Sequence, residues 1–153
     1  MEGWLTAPHV TRWAHKMFSR IDAALEGQRS GSEAGLLIAE IDGGPAGCGY
    51  VYSAHGDPCW SAISDVTPKT RAIDFLIGEP DLLNRKWGQA MLCALCLWVF
   101  DDPGIDRIVA CPHPDNWPAV IALKRAGFRE KGRHPDQAMN AMYLTVTPAT
   151  LKR

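Results

Sequence analysis

Residues 88–100, from Gly88 to Phe100, are almost uniformly apolar and rich in helix-forming residue types. A helix that is apolar all round has to be buried on most of its faces, because it keeps no polar face for water. The segment is shorter than the roughly 18 apolar residues of a membrane span. We therefore expect a core helix that ends at the breaker Asp101-Asp102-Pro103-Gly104 and is covered by other elements.

Strands that can cover this helix are predicted before and after it. Leu36–Ile41 and Ala46–Tyr52 flank a Gly-bearing turn, which predicts a β-hairpin. The other elements are a helix or two short helices in Ala7–Ala24, a long loop at 53–70, strands at Arg71–Gly78, Arg107–Cys111 and Ala141–Val146, and a helix capped by Asn116 and ended by Gly127. This order predicts a mixed α/β (α+β) fold in one domain spanning residues 1–153.

Charge and cysteine usage narrow the classes of partner. The 153 residues carry 16 Lys and Arg against 17 Asp and Glu, a net charge of −1, so nothing attracts the whole chain to nucleic acid or to a membrane. The N-terminus lacks the pattern of a signal peptide, and the five cysteines are an odd number. We expect a cytoplasmic monomer or homodimer with reduced thiols that binds a small molecule.

No metal site is predicted. Cys93 and Cys96 form a C-x-x-C inside the apolar helix, where they face the core and have no second ligand pair nearby. A redox C-x-x-C would instead lie at a helix start, where the dipole lowers the thiol pKa.

The turn between the strand at 73–77 and the apolar helix has features of an anion site. Free N–H groups and the positive dipole end of a helix that follows a strand point to one place, where phosphate binds well. Gly88 and Ala90 are small enough for close approach, and Arg85 and Lys86 add positive charge. On the residues alone, two interpretations stay open: a phosphate site, or an ordinary turn with solvated basic residues.

The same segment, R-x-x-G-x-A at 85–90, resembles the pyrophosphate-binding motif of the GNAT superfamily of N-acetyltransferases. Within it, the chain is similar to the aminoglycoside 6'-N-acetyltransferase and siderophore-type acetyltransferase group. That similarity rests on Ile73–Leu82, Asn116 with Ala119, Ala126-Gly127-Phe128, and Trp4, Leu5, Pro8, His9, Val10 and Trp13 near the N-terminus. The resemblance implies a mixed central sheet flanked by helices, with splayed strands forming an acetyl-CoA cleft. It leaves open whether the usual first strand of that sheet is missing.

The resemblance also implies acetyl-CoA as the cosubstrate. Its pantetheine arm is expected along the backbone of Phe75, Leu76 and Ile77, and its pyrophosphate on Arg85, Lys86, Trp87, Gly88, Gln89 and Ala90. Asn116 matches a family position that contacts the cofactor, and it can cap its helix at the same time. Backbone N–H groups near Phe75 would polarise the thioester carbonyl as its oxygen gains charge.

Asp74 is the candidate catalytic residue. It lies between Ile73 and Phe75 on a strand with apolar neighbours, where an unpaired carboxylate would cost about several kcal/mol. A substrate ammonium is one partner that removes this cost, and the carboxylate can then take the proton of the amine. The alternative is an Asp74 satisfied by Arg71 or by backbone N–H groups.

Further residues are candidates for holding the acceptor. Asp136 lies before the last strand, where aminoglycoside enzymes also carry an acid, and Glu79 follows the strand of Asp74. Trp60 can form an apolar wall against a sugar ring. Asp57 and Asp65 lie in the same long loop. For each of these residues, surface solvation or plain packing is the alternative.

Three positions depart from the family pattern, and one of them is Lys86, which replaces a frequent glycine in the anion loop. Leu123 stands where relatives place a tyrosine that reprotonates the thiolate, and Cys111 stands where aminoglycoside enzymes carry an acid. The resemblance implies direct transfer of an acetyl group to a primary amine of an aminoglycoside-like polycation, which inactivates the antibiotic. Two alternatives remain: a siderophore precursor or other small amine or hydroxylamine as acceptor, or a CoA-binding sensor without catalysis.

Overall fold

The computed structural model describes residues 2–13, Arg20 and residues 34–153. Its helices are α1 (Glu2–Leu5), α2 (Pro8–Thr11), α3 (Trp87–Phe100) and α4 (Trp117–Ala126), and its strands are β1 (Gly35–Ile41), β2 (Gly44–Ser53), β3 (Thr70–Ile77), β4 (Arg107–Ala110), β5 (Arg129–Arg133) and β6 (Met142–Val146). The predicted hairpin, the apolar helix, and the strand on either side of it are confirmed. Of the helical segment predicted at 7–24, α2 is present, and residues 14–19 and 21–24 lie outside the described residues.

The strands form one sheet in the order β1-β2-β3-β4-β6-β5. β3 and β4 are parallel, and the other neighbours are antiparallel. The sequence gives no sign of β5. Its residues, Arg-Glu-Lys-Gly-Arg, lack apolar alternation because the strand lies exposed at the sheet edge and is held by backbone pairing to β6.

α3 and α4 cover one face of the sheet. Leu92, Leu95, Cys96 and Val99 of α3 pack with Val51, Ile73, Ile108 and Leu144 of the strands. The expectation that α3 is buried on most faces is wrong in part: Leu97 and Trp98 are 41% and 57% exposed. One side of α3 lies on the sheet and α4 lies beside it, so the side that carries Leu97 and Trp98 is left to solvent in the described part of the chain.

The loop at 54–69 and Tyr143 of β6 form a second cluster on the opposite face of the sheet. Trp60 is buried there and donates a hydrogen bond from its indole Nε1 to Tyr52 Oη at 3.0 Å. Asp65 accepts from Tyr143 Oη at 3.0 Å and pairs with Arg107 at 2.7 Å. These contacts fix an otherwise irregular loop, as predicted for this segment, and they place Asp57 beside the sheet.

The two N-terminal helices pack on the end of β3. Trp4 and Val10 are buried with Cys48 and Leu76. The Trp4 indole lies so close to Gly78 that a Cβ at that position would collide with the ring. Glycine at position 78, directly after β3, is therefore required for this packing.

Candidate active site

β3 and β4 separate part-way along the sheet. They pair only from Thr70 to Ala72 on β3 and from Arg107 to Val109 on β4. β3 continues along β2 as far as Ile77, whereas β4 ends at Ala110. A cleft therefore opens beside residues 73–77, where the resemblance to acetyltransferases places splayed strands.

Backbone groups of β3 point into this cleft. Thr70 accepts a hydrogen bond from Ala54 of the β2 side, and Gly78 donates one to Ala46 of β2, so even-numbered residues of β3 face β2. Because backbone polar groups alternate along an antiparallel pair, those of Ile73, Phe75 and Ile77 face the cleft. An extended ligand can pair with them as a strand would.

His9 marks the end of that open edge. Its Nε2 lies 3.0 Å from the carbonyl oxygen of Ile77. The bond joins α2 to the last residue of β3 and fills one backbone acceptor on the cleft side. The positions left for an extended ligand are therefore those around Phe75.

The N-terminus of α3 lies just beyond β3. Its first backbone hydrogen bond runs from Ala90 N–H to the Lys86 carbonyl, and the Lys86 side chain gives no capping hydrogen bond. The N–H groups of the first turn, from Trp87 to Gln89, thus lack that cap, and the helix dipole adds partial positive charge there. The six residues predicted for the pyrophosphate meet at this end of α3.

Lys86 adopts a left-handed backbone with φ of 63°. Such a conformation costs a residue with a side chain about 1–2 kcal/mol, and glycine avoids it. We therefore expect Lys86→Gly to raise the free energy of unfolding by about 1 kcal/mol relative to Lys86→Ala, which loses the same charge. Urea denaturation measures the difference, and equal stability of the two variants would contradict the left-handed turn.

Asp74 lies on the face of the sheet opposite α3, directly across from Tyr50 of β2. Its carboxylate is 3.8 Å from Nη1 of Arg20, whose Nη2 lies 3.6 Å from Asp57. Burial raises the pKa of Asp74, Arg20 opposes that rise, and Asp57 adds to it. A cation of the chain itself, Arg20, thus lies beside Asp74, where the sequence analysis proposes a substrate ammonium.

Arg20 also contacts an aromatic ring and a thiol. Its guanidinium carbon lies 4.4 Å from the centre of the Tyr52 ring, which in turn stacks with Tyr50 at 5.2 Å. Its Nη2 also contacts Cys59 Sγ at 2.8 Å. Sequence reasoning missed Arg20 and both tyrosines. The alternation of β2 against β3 is the signal that could have placed the tyrosines on the face of Asp74.

The remaining predicted acceptor residues have partners within the chain. Glu79 accepts a hydrogen bond from Trp4 Nε1 at 2.6 Å, and Trp60 is only 1% exposed. Asp136 caps a short turn through Ala138 N–H, and its own N–H donates to His134 Nδ1.

His134 connects the Asp136 turn to the segment that carries Asp57, which with Asp74 forms the acid pair beside Arg20. With Nδ1 accepting, its Nε2 donates to the Cys59 carbonyl at 2.7 Å. The turn is therefore anchored two residues from Asp57, whereas the structure gives no contact between Asp136 and Asp74.

Two residues on the α4 side concern the cofactor and the leaving group. Asn116 accepts from Ala119 N–H at 3.5 Å and so caps α4 weakly, as predicted. Leu123 is fully buried in the core and offers no proton to a thiolate.

Comparison with known proteins agrees with the splayed sheet. Residues 1–135 match the family model described as acetyltransferase (GNAT) domain. The chain belongs to the GNAT acetyltransferase family. The predicted fold class, a mixed sheet flanked by helices, is confirmed, and so is the predicted acetyltransferase class.

Several relatives of this GNAT protein have described activities. Aminoglycoside N(6')-acetyltransferase type 1 of Klebsiella pneumoniae is 27% identical over 98% of this chain and 78% of its own length. A kanamycin resistance protein of Rhizobium radiobacter is 28% identical over 61% of this chain and 85% of its own length. The crystal structure of aminoglycoside acetyltransferase AAC(6')-Ib with coenzyme A and kanamycin has a TM-score of 0.79 at 27% identity, covering 96% of this chain and 87% of that one.

Neither a metal cluster nor a membrane-spanning helix is found among the described residues. Among residues 2–13, Arg20 and 34–153, no group of three or more His, Cys, Asp and Glu is arranged to hold a metal ion. The same part of the chain contains no helix with the length and apolar character needed to cross a membrane.

Proposed function

We propose that this protein transfers the acetyl group of acetyl-CoA directly to a primary amine of an aminoglycoside-like polycation in a ternary complex. The observation that carries the proposal is that Asp74 directly precedes Phe75, whose backbone faces the cleft. One strand thus presents a carboxylate to the acceptor and backbone donors to the acyl group. The activities named for the relatives supply the acceptor class.

The residues at the cleft fit the donor. The N–H groups of Trp87, Gly88 and Gln89, with the nearby Arg85 and Lys86, suit a diphosphate. The open edge of β3 around Phe75 suits the amide groups of a pantetheine arm. When bound there, acetyl-CoA supplies an activated acyl group as a thioester. Asn116, at the start of α4, is the further cofactor contact that we propose.

The acceptor side fits an ammonium group. Asp74 and Asp57 offer two carboxylates, and Tyr52 offers an aromatic face. Asp74 takes a proton from the ammonium, and the freed nitrogen adds to the thioester carbonyl. The nitrogen releases its second proton to water as the C–S bond breaks and the amide forms. Burial strengthens Asp74 as a base, because it raises its pKa. Since Leu123 carries no proton, water protonates the thiolate that leaves.

Binding and turnover test this function separately. Acetyl-CoA at about 100 times its Kd should stabilise the protein by about 2.7 kcal/mol, a melting shift of several degrees. Thiol release should then be fastest with kanamycin, compared with N6-hydroxylysine and with spermidine.

Each contrary result points to a different alternative. The absence of a melting shift would contradict the cleft as a donor site. A melting shift with faster release from N6-hydroxylysine or spermidine would favour the siderophore-type or other small-amine acceptors. A shift without thiol release from any amine would favour a CoA-binding sensor. This alternative follows from the buried Leu123, which cannot donate a proton to the leaving thiolate.

A further inference from the structure

Arg20 occupies the place best suited to a foreign cation. Its guanidinium lies between Asp57 and Asp74 and over the Tyr52 ring. Two carboxylates and an aromatic face are the groups that bind an organic ammonium. The side chain is 20% exposed, so most of it fills this space.

The guanidinium donates a hydrogen bond from Nη2 to Cys59 Sγ, but charge more than hydrogen bonding holds it to the two carboxylates. Its distances to the two carboxylates, 3.6 and 3.8 Å, exceed the 2.7–2.9 Å typical of a charge-assisted hydrogen bond. Its Nη1 is buried and has no hydrogen-bond partner in the described part of the chain. A buried donor without a partner is unfavourable, because it has lost its hydration and gained nothing in return. Moving Arg20 into water would rehydrate Nη1, which offsets part of the lost ion pairing.

We propose that Arg20 is an internal competitor for the acceptor: it fills the ammonium subsite between Asp57 and Asp74, and a cationic acceptor has to displace it. This inference rests on the proposed function. A subsite that is free for only a fraction of the time binds its ligand more weakly by that same fraction. Arg20 therefore sets how tightly the enzyme holds any cationic acceptor.

Displacement is favoured over joint occupancy by the packing around the guanidinium. An ammonium beside Asp74 would meet a like charge at close range if Arg20 stayed in place. The buried Nη1 is also closed to an oxygen atom of the acceptor in this arrangement. An acceptor therefore gains access to Asp74 only when the guanidinium leaves the ring of Tyr52.

Removing the competitor should strengthen acceptor binding. We expect Arg20→Ala and Arg20→Gln to lower KM for kanamycin about tenfold, as for a subsite that is free about a tenth of the time, with kcat little changed at pH 8. Arg20→Lys keeps a cation and should stay close to the parent protein. Arg12→Ala is the matched control, because Arg12 also lies over an aromatic ring, that of Trp13, without contact to the acid pair.

A small cation should restore the competition. In Arg20→Ala, millimolar guanidinium chloride should inhibit competitively against kanamycin and not against acetyl-CoA, with sodium chloride as the ionic-strength control. The parent protein and Arg12→Ala should show no such inhibition. A purely structural role of Arg20 would not produce this pattern.

The contrary results are distinct from those for the function itself. If the parent protein acetylates kanamycin but KM rises or stays unchanged in both Arg20→Ala and Arg20→Gln, the competitor role is wrong. The same holds if guanidinium does not compete in a variant that still shows the melting shift with acetyl-CoA. A parent protein that acetylates no amine would instead overturn the proposed function.

Discussion

Asp74→Asn is expected to lower kcat for acetyl transfer to kanamycin by about 10²- to 10⁴-fold, the range of general acid–base contributions. The amide keeps the size of the side chain and leaves the backbone pairing of residue 74 with Tyr50 intact. It cannot take a proton from the ammonium group. The donor site uses backbone groups and the start of α3, so the Kd for acetyl-CoA should remain near that of the parent protein.

Asp57→Asn is the matched control for this variant. Asp57 accepts a hydrogen bond from Cys59 N–H at 2.8 Å, and an asparagine oxygen keeps that bond. Asp57 helps to hold the cationic acceptor but does not lie on the strand that faces the donor. Loss of its charge should therefore act on KM for the acceptor more than on kcat. Steady-state kinetics with both substrates separate the two effects. A kcat of Asp74→Asn equal to that of the parent would show that another group is the base.

The pH dependence of kcat/KM should also report the ionisation of Asp74 as the base. Burial raises the pKa of Asp74, so activity should be present above that pKa and be lost as the pH falls through it. This acid limb should lie above the ordinary aspartate value of about 3.9. Because Arg20 opposes the rise, Arg20→Gln should move the limb to still higher pH. A limb that moves to lower pH in that variant would contradict the electrostatic role of Arg20.

Much of the fold was predictable because its signals are local. The apolar helix, the Gly-bearing hairpin turn and the cap and stop of α4, Asn116 and Gly127, each show in a few neighbouring residues. β5 was not predictable, since an edge strand held by its backbone needs no apolar pattern. The exposed face of α3 was not predictable either, because composition does not show how many neighbours a helix acquires.

The candidate site divides in the same way. Asp74 could be predicted from its sequence neighbours alone, because it is a charged residue within an apolar strand. The cation beside Asp74 could not be identified in this way, because Arg20 lies 54 positions away in the sequence and only the fold brings the two residues together. Trp60 was a candidate for packing against a sugar ring because it is aromatic. Its hydrogen bond to Tyr52 and its burial instead place it inside the packing of the loop.

Gln89→Glu should weaken acetyl-CoA binding by about 10- to 100-fold without harming the fold. Gln89 lies in the first turn of α3, where the diphosphate is proposed to bind, and glutamate has nearly the same shape. A carboxylate in the first turn is favourable for the helix itself, since it meets the positive end of the dipole. The substitution gives up only a weak hydrogen bond, 3.4 Å from Nε2 to the Arg125 carbonyl. Stability and ligand affinity should therefore move in different directions.

The expected loss of affinity for acetyl-CoA comes from charge alone, and Gln89→Leu is the control for this cause. Gln89→Leu removes the same hydrogen bond to Arg125 and adds no charge, so its Kd for acetyl-CoA should stay within about threefold of the parent value. Calorimetric titration of acetyl-CoA measures both variants, and thermal melting without ligand confirms that they fold. Because salt screens exposed charges, the deficit of Gln89→Glu should shrink as ionic strength rises. An unchanged Kd in Gln89→Glu would place the diphosphate away from α3 and overturn the donor site.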